Sequence, residues 1–156
     1  MNITIGMMAA GVACFFVLLA VLRWFCPQRR RRIICGVLLI GWAGVVLWVT
    51  TLSRISVREV RYHLTPFDDS MLSPWELTAN TVMFVPFCGL AMGLFHRLKA
   101  RQCLLAGLLA ALGIELFQLI SHRGICDVDD LICNSCGVAI GFLLYRLTLL
   151  FPSYKE

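Results

Sequence analysis

The 156-residue chain is 60% hydrophobic and only 15% charged, with a formal net charge of +5. Soluble domains run at about 45–50% apolar and about 25% charged, so this composition excludes an ordinary water-soluble enzyme and points to lipid. A bilayer core takes about 20 apolar residues as helix, and residues 1–22, 33–53 and 77–96 are each long runs without a charge.

In chain order, the first helix is expected at about residues 3–25, stopped by Pro27. Its leading residues, Met1-Asn2-Ile3-Thr4, carry no Lys or Arg, and no small-x-small cleavage site precedes Arg29, so it reads as a retained span and not a signal peptide. Four arginines at 29–32 form a short basic turn before a second helix at about residues 33–52. The connection over residues 53–72 is too charged to span a bilayer. Ser73-Pro74-Trp75-Glu76 has the pattern of a capping box, with Pro at the first helical position. It opens a third helix expected to reach about residue 98, with Pro86 placed to kink it. A fourth helix is expected at about residues 103–120. A fifth, introduced by Asp127-Val128-Asp129-Asp130, is expected at about residues 131–150. The expected architecture is an all-α integral membrane protein, a bundle of about five transmembrane helices. Residues 1–28 form an extra N-terminal span, residues 29–150 the main membrane domain, and residues 151–156 a short cytoplasmic tail.

Charge sets the expected orientation, because cytoplasmic loops carry the excess of Lys and Arg. One side of this arrangement holds Arg23, the arginines 29–32, Arg97, Lys99, Arg101, Arg146 and Lys155; the other holds only Arg54, Arg58, Arg61 and Arg123. Ten against four places the N-terminus outside and the C-terminus inside. Eight of the nine acids fall on the outer side, with only Glu156 inside. Polar chemistry is therefore expected at the outer leaflet.

Two polar groups sit where lipid makes them expensive. Glu115 lies about 8 Å below the outer end of the fourth helix, and Asn134 about one turn inside the fifth. The short loop between these helices makes an antiparallel hairpin and brings the two to similar depth. Glu115, Gln118 and His122 share one helical face at spacings of three and four, as do Asp127, Asp130 and Asn134. An intramembrane carboxyl group is a functional candidate by default. The alternative is structural: Glu115 bonded to Asn134 or Gln118 as interhelical glue, and Asp127 and Asp130 as a helix cap. Asn80, two turns into the third helix, is a third polar contributor or a simple interhelical bond. Gly89-x-x-x-Gly93 and Gly137-x-x-x-Gly141 are small-residue packing faces. The connection, with Arg54, Arg58, Arg61, His63, Asp68 and Asp69, is either a lid over the hairpin or a solvated loop at lipid phosphates.

Of the eight cysteines, Cys14, Cys26, Cys35, Cys88 and Cys103 read as small buried apolar residues. Cys126, Cys133 and Cys136 lie near the outer face, where a disulfide is permitted. Cys133-x-x-Cys136 lacks a second ligand pair, so no metal is expected. No cofactor is expected either. The arginine run is a topology signal touching anionic lipid, not a nucleic-acid site.

Three segments together resemble the VanZ-like family. Leu64-Thr65-Pro66-Phe67 is similar to its L-x-P-F element, and Asn80-Thr81-Val82-Met83-Phe84-Val85-Pro86-Phe87 to its N-x-x-x-F-x-P-F/L segment. Glu115-x-x-Gln118, followed by Asp127-x-x-Asp130-x-x-x-Asn134-x-x-Gly137, resembles its E-x-x-Q…D-x-x-D-x-x-x-N-x-x-G signature. One position departs: a glycine expected directly after Pro86-Phe87 is Cys88 here, with Gly89 one place later. The resemblance implies a bacterial plasma-membrane protein acting at the envelope face. The family's founding member is associated with low-level resistance to the glycopeptide teicoplanin, and no defined reaction is implied.

Three functions follow as expectations. The first is a non-catalytic outer-leaflet module that binds membrane lipid, a cell-wall precursor or an amphiphilic glycopeptide, using Glu115, Gln118, Arg123, Asp127, Asp130, Asn134 and Asn80. The second is an intramembrane enzyme on a lipid-linked substrate, with Glu115 or Asp130 as acid or base and Arg123 or Arg61 holding a phosphate. Against it, no nucleophile–base pair is evident in the sequence. The third is a structural subunit. Pro66, Phe67, Phe84, Pro86, Gly137 and Gly141 are assigned to structure in all three.

Overall fold

The computed structural model describes residues 2–54, 62–67 and 73–154. Arg58, Arg61, Asp68, Asp69, Lys155 and Glu156 lie outside the described residues. Five helices are long and apolar enough to cross a membrane: α1 (Asn2–Phe25), α2 (Gln28–Leu47), α3 (Pro74–Leu94), α4 (Ala100–Ser121) and α5 (Val128–Thr148). A π-helical turn, Trp48–Leu52, prolongs α2. One exception to an all-helical fold is a two-residue parallel pair, β1 (Tyr62–His63) against β2 (Cys126–Asp127), with His63 opposite Asp127.

The expected spans stand; α4 opens at Ala100 and not near residue 103, and three further boundaries shift for local reasons. The four arginines are not a turn but the opening turns of α2, which starts straight after Pro27 at its N-cap. Arginine is a good helix former, and Pro27 both ends α1 and presets the next start. α3 stops at Leu94 and not near residue 98: Phe95 leaves the helical region at φ −103° and ψ 82°. The Arg32 Nε–H meanwhile donates to the Leu94 carbonyl at 3.0 Å. α5 begins three residues early because Asp127 is its N-cap, with Asp129 and Asp130 in the first turn, where negative charge suits the helix dipole. At α3 the Ser73 Oγ accepts the Glu76 N–H at 3.4 Å, and Pro74 holds the first position. The helix runs unbroken through Pro86.

Helix ends sort by charge. Leu94 meets Arg32, and the Tyr154 N–H donates to the Arg23 carbonyl at 2.8 Å, so α1, α2, α3 and α5 share one basic end. The carboxylates Glu76, Glu115, Asp127, Asp129 and Asp130 gather at the opposite, acidic end.

α3 is the central helix, touching all four others. In lipid, helices associate by close packing, because tails outside are as apolar as leucine. Glycine supplies the closeness. A Cβ at Gly137 would stand 2.1 Å from the Thr81 carbonyl oxygen, and one at Gly141 2.0 Å from that of Val85. The backbones of α3 and α5 therefore touch. Gly89 receives Leu19 of α1, and Gly93 receives the Cys35 Sγ of α2. Trp42 stacks edge-on to the buried Phe84 and donates its indole N–H to the Met83 carbonyl at 2.8 Å. The outer faces carry Ile40, Val45, Leu109, Ile120 and Leu143, all exposed, as lipid-facing surface requires. All eight cysteines are free thiols; Cys35, Cys88 and Cys103 are buried as expected, whereas Cys14 is exposed.

Candidate functional site

The acidic end is organised around the start of α5. The chain leaves α4 through His122 in the left-handed region at φ 55°, and the Arg123 N–H closes back onto the Gln118 carbonyl at 3.2 Å. Gly124 at φ 136° completes the reversal, a conformation an L side chain rarely adopts. A Cβ there would also stand 3.2 Å from an Arg54 guanidinium nitrogen.

Four carboxylates in this region each hold a different element. Glu115, only 3% exposed, accepts the Asp127 N–H at 3.1 Å, tying α4 to the start of α5. Asp127 caps α5 by accepting the Asp129 N–H at 2.8 Å, and the same oxygen faces His63 Nδ1 at 3.4 Å across the β pair. Asp129, 5% exposed, takes the Phe67 N–H on both oxygens at 3.0 and 3.1 Å. Phe67 has φ 55°, so the L-x-P-F element turns sharply there, and its amide docks on the buried carboxylate. Asp130 accepts a short hydrogen bond from Asn80 Nδ2, joining α5 to α3. Arg54 interacts electrostatically with both Glu115 and Asp130.

The expected cluster thus divides. Glu115, Asp127, Asp130 and Asn80 come together, with Asn134 buried one turn below Asp130. Glu115 bonds to the Asp127 backbone and not to Asn134 or Gln118. Gln118 and Arg123 turn the other way: Gln118 Nε2 donates to the Thr50 carbonyl at 2.9 Å, and Arg123 Nη1 to that of Leu52 at 3.1 Å. A helix end leaves its last carbonyls without partners, so these two side chains, one from α4 and one from the loop after it, cap the π turn. The expected cluster did not include His63, Asp129 and Arg54, although the lid alternative for the connection named His63 and Arg54. Asp129 is off the face shared by Asp127, Asp130 and Asn134, and His63 reaches its partner across 64 positions, a separation with no local signal.

Two acceptors remain unfilled. Gln118 Oε1 and Asn134 Oδ1, on side chains 1% and 2% exposed, accept no hydrogen bond among the described residues. His122 Nδ1 is likewise buried without a hydrogen-bond partner among the described residues, and the two amide oxygens suit N–H, O–H or ammonium donors.

His63, Asp127 and Asp129 each offer a ligand atom, all within 4.8 Å of one another. Their electrostatics suit a fold contact better than a cation. Both carboxylates already accept backbone N–H groups, and they sit at the positive end of the α5 dipole. Cys126 lies between the spans, where burial and then the Glu115 and Asp127 charges push its thiol above the ordinary range.

No curated protein and no solved structure matches the chain at a significant level. The family model described as VanZ/LLP1 matches residues 33–150, about three-quarters of the chain, which takes in α2 from Ile33 onward, all of α3 to α5 and every residue of the acidic cluster. This multi-pass membrane protein belongs to the VanZ/LLP1 family.

Proposed function

We propose that the protein is a non-catalytic envelope module of a bacterial plasma membrane, with its acidic end in the outer leaflet and its N-terminus outside. It binds the donor-rich head of an amphiphile there: a membrane lipid, a cell-wall precursor or a teicoplanin-type glycopeptide. Occupancy or shielding at that leaflet lowers drug access to its target. The observation that supports this most is the pair of unfilled buried acceptors, Gln118 Oε1 and Asn134 Oδ1, at the end that also holds Glu115 and Asp130, beside lipid-facing helices. An ammonium or a sugar hydroxyl supplies the donors they lack, and the apolar faces take the hydrophobic part. The orientation rests on the basic end, since arginine and lysine collect in the cytoplasm.

The test is growth under teicoplanin of cells making the wild type, Glu115→Gln or Asp130→Asn, with protein level measured in parallel. Both substitutions remove charge and keep a hydrogen-bonding amide. Lost protection at normal protein level supports the reading. Retained protection refutes it, and loss of the protein itself points to a structural subunit.

One contact favours an enzyme instead. His63 Nδ1 faces the Asp127 carboxylate at 3.4 Å, an acid–imidazole pair of the kind that orients a general base. On that reading His63→Gln abolishes turnover of an envelope lipid or lipid-linked precursor by purified protein. Absence of turnover in the wild type, with and without divalent metal, removes it.

A further inference from the structure

At the basic end, α2 and the end of α3 enclose a groove of about 590 Å³ lined by Arg29, Arg32, Ile33, Val37, Leu94 and His96. Its volume falls in the range of small-molecule sites, about 300–1,000 Å³. Chemistry is segregated along it. Arg29, Arg32 and His96 stand at the helix ends, while Ile33, Val37 and Leu94 line the part running into the span. Arg32 is held in place because its Nε–H donates to the Leu94 carbonyl at 3.0 Å, which fixes the planar guanidinium at the rim. Gly36 lies in the floor without a side chain, and a Cβ there would stand in ordinary contact with Leu94 at 3.4 Å. Ile33 and Val37 are 60% and 66% exposed, so the apolar wall is open to an occupant.

We infer that this groove is a specific site for one anionic diacyl phospholipid, its phosphate on Arg29 and Arg32 and an acyl chain along Ile33, Val37 and Leu94. The argument is charge complementarity joined to an apolar wall: a cationic rim at headgroup depth over a hydrocarbon-lined channel matches both parts of such a lipid and no water-soluble anion. Its position places the lipid in the leaflet at the basic end. The inference stands independently of the ligand proposed for the acidic end.

The test uses the full-length protein in nanodiscs, with phosphatidylglycerol retained per protein measured by native mass spectrometry. Phosphatidylcholine and glycerol phosphate serve as comparison ligands. Arg29→Gln with Arg32→Gln should weaken phosphatidylglycerol by about thirtyfold. Arg30→Gln with Arg101→Gln removes equal charge from the same end, outside the groove, and should change it by less than about threefold. Val37→Trp fills the groove from its open side, leaves the Arg32–Leu94 contact alone, and should also displace the lipid. Equal losses in the two double variants would show diffuse surface charge and overturn the site. So would equal binding of phosphatidylcholine, equal binding of glycerol phosphate, or full retention in Val37→Trp.

Discussion

Replacing Gly141 with alanine tests the backbone contact between α3 and α5. The new Cβ would fall 2.0 Å from the Val85 carbonyl oxygen, whereas real Cβ atoms essentially never come within 3.0 Å, so α3 and α5 must part by about 1 Å. No side chain can rotate away to relieve this, since the obstacle is backbone on α3. A gap of about 0.5–1 Å already forfeits a quarter to a half of each dispersion contact it opens, and the interface includes the buried Phe84, which lies against Gly137. Overpacking costs about 1–3 kcal/mol where neighbours can adjust; with rigid backbone on both sides the expected loss is about 3 kcal/mol. Alanine's better helix propensity returns at most about 1 kcal/mol, so the clash wins. The fall in melting temperature should be about 4–8 °C, at the roughly 2–4 °C per kcal/mol of a chain this size. Loss of the monodisperse peak after heating, in detergent, measures it. Gly113→Ala is the control, because nothing lies within 4 Å of a Cβ there, and it should melt with the wild type or above. Gly141→Ala melting together with Gly113→Ala would refute the close-contact argument.

Gln118→Leu strands the Thr50 carbonyl in a buried position and should cost about 1–2 kcal/mol, read as a lower melting temperature; no change would mean that the π turn is held otherwise. Asp129→Ala removes both acceptors of the Phe67 N–H, so hydrogen exchange at that amide should speed up markedly, while an unchanged rate would detach the turn from α5. Cys126, with its thiol pushed up by burial and by Glu115 and Asp127, holds less thiolate at pH 8 than an ordinary cysteine and should react slowly with iodoacetamide. Glu115→Gln removes one of those charges, favours the thiolate and should accelerate labelling of a single-cysteine protein; an unaltered rate would separate Glu115 from the loop.

Sequence alone determined the five spans, because lipid demands long uncharged runs and satisfied backbone, and both requirements are written locally. It also determined the segregation of arginine from carboxylate at opposite ends, and the small-residue faces at Gly89, Gly93, Gly137 and Gly141. The helix start at Ser73 follows from the same local chemistry, since a cap reads only the next three residues, whereas α5 opens at Asp127, three residues before the start expected from sequence. Tertiary structure decided which polar side chain meets which. Gln118 shares a helical face with Glu115, yet it turns to the Thr50 carbonyl because the end of α2 lies there with unpaired acceptors. His63 and Phe67 reach Asp127 and Asp129 across more than sixty positions, through a two-residue β pair that no periodicity announces. Periodicity reports which face a residue occupies, whereas a partner depends on which other helix is brought against that face. In this chain that choice is made by glycines that let α3 and α5 touch.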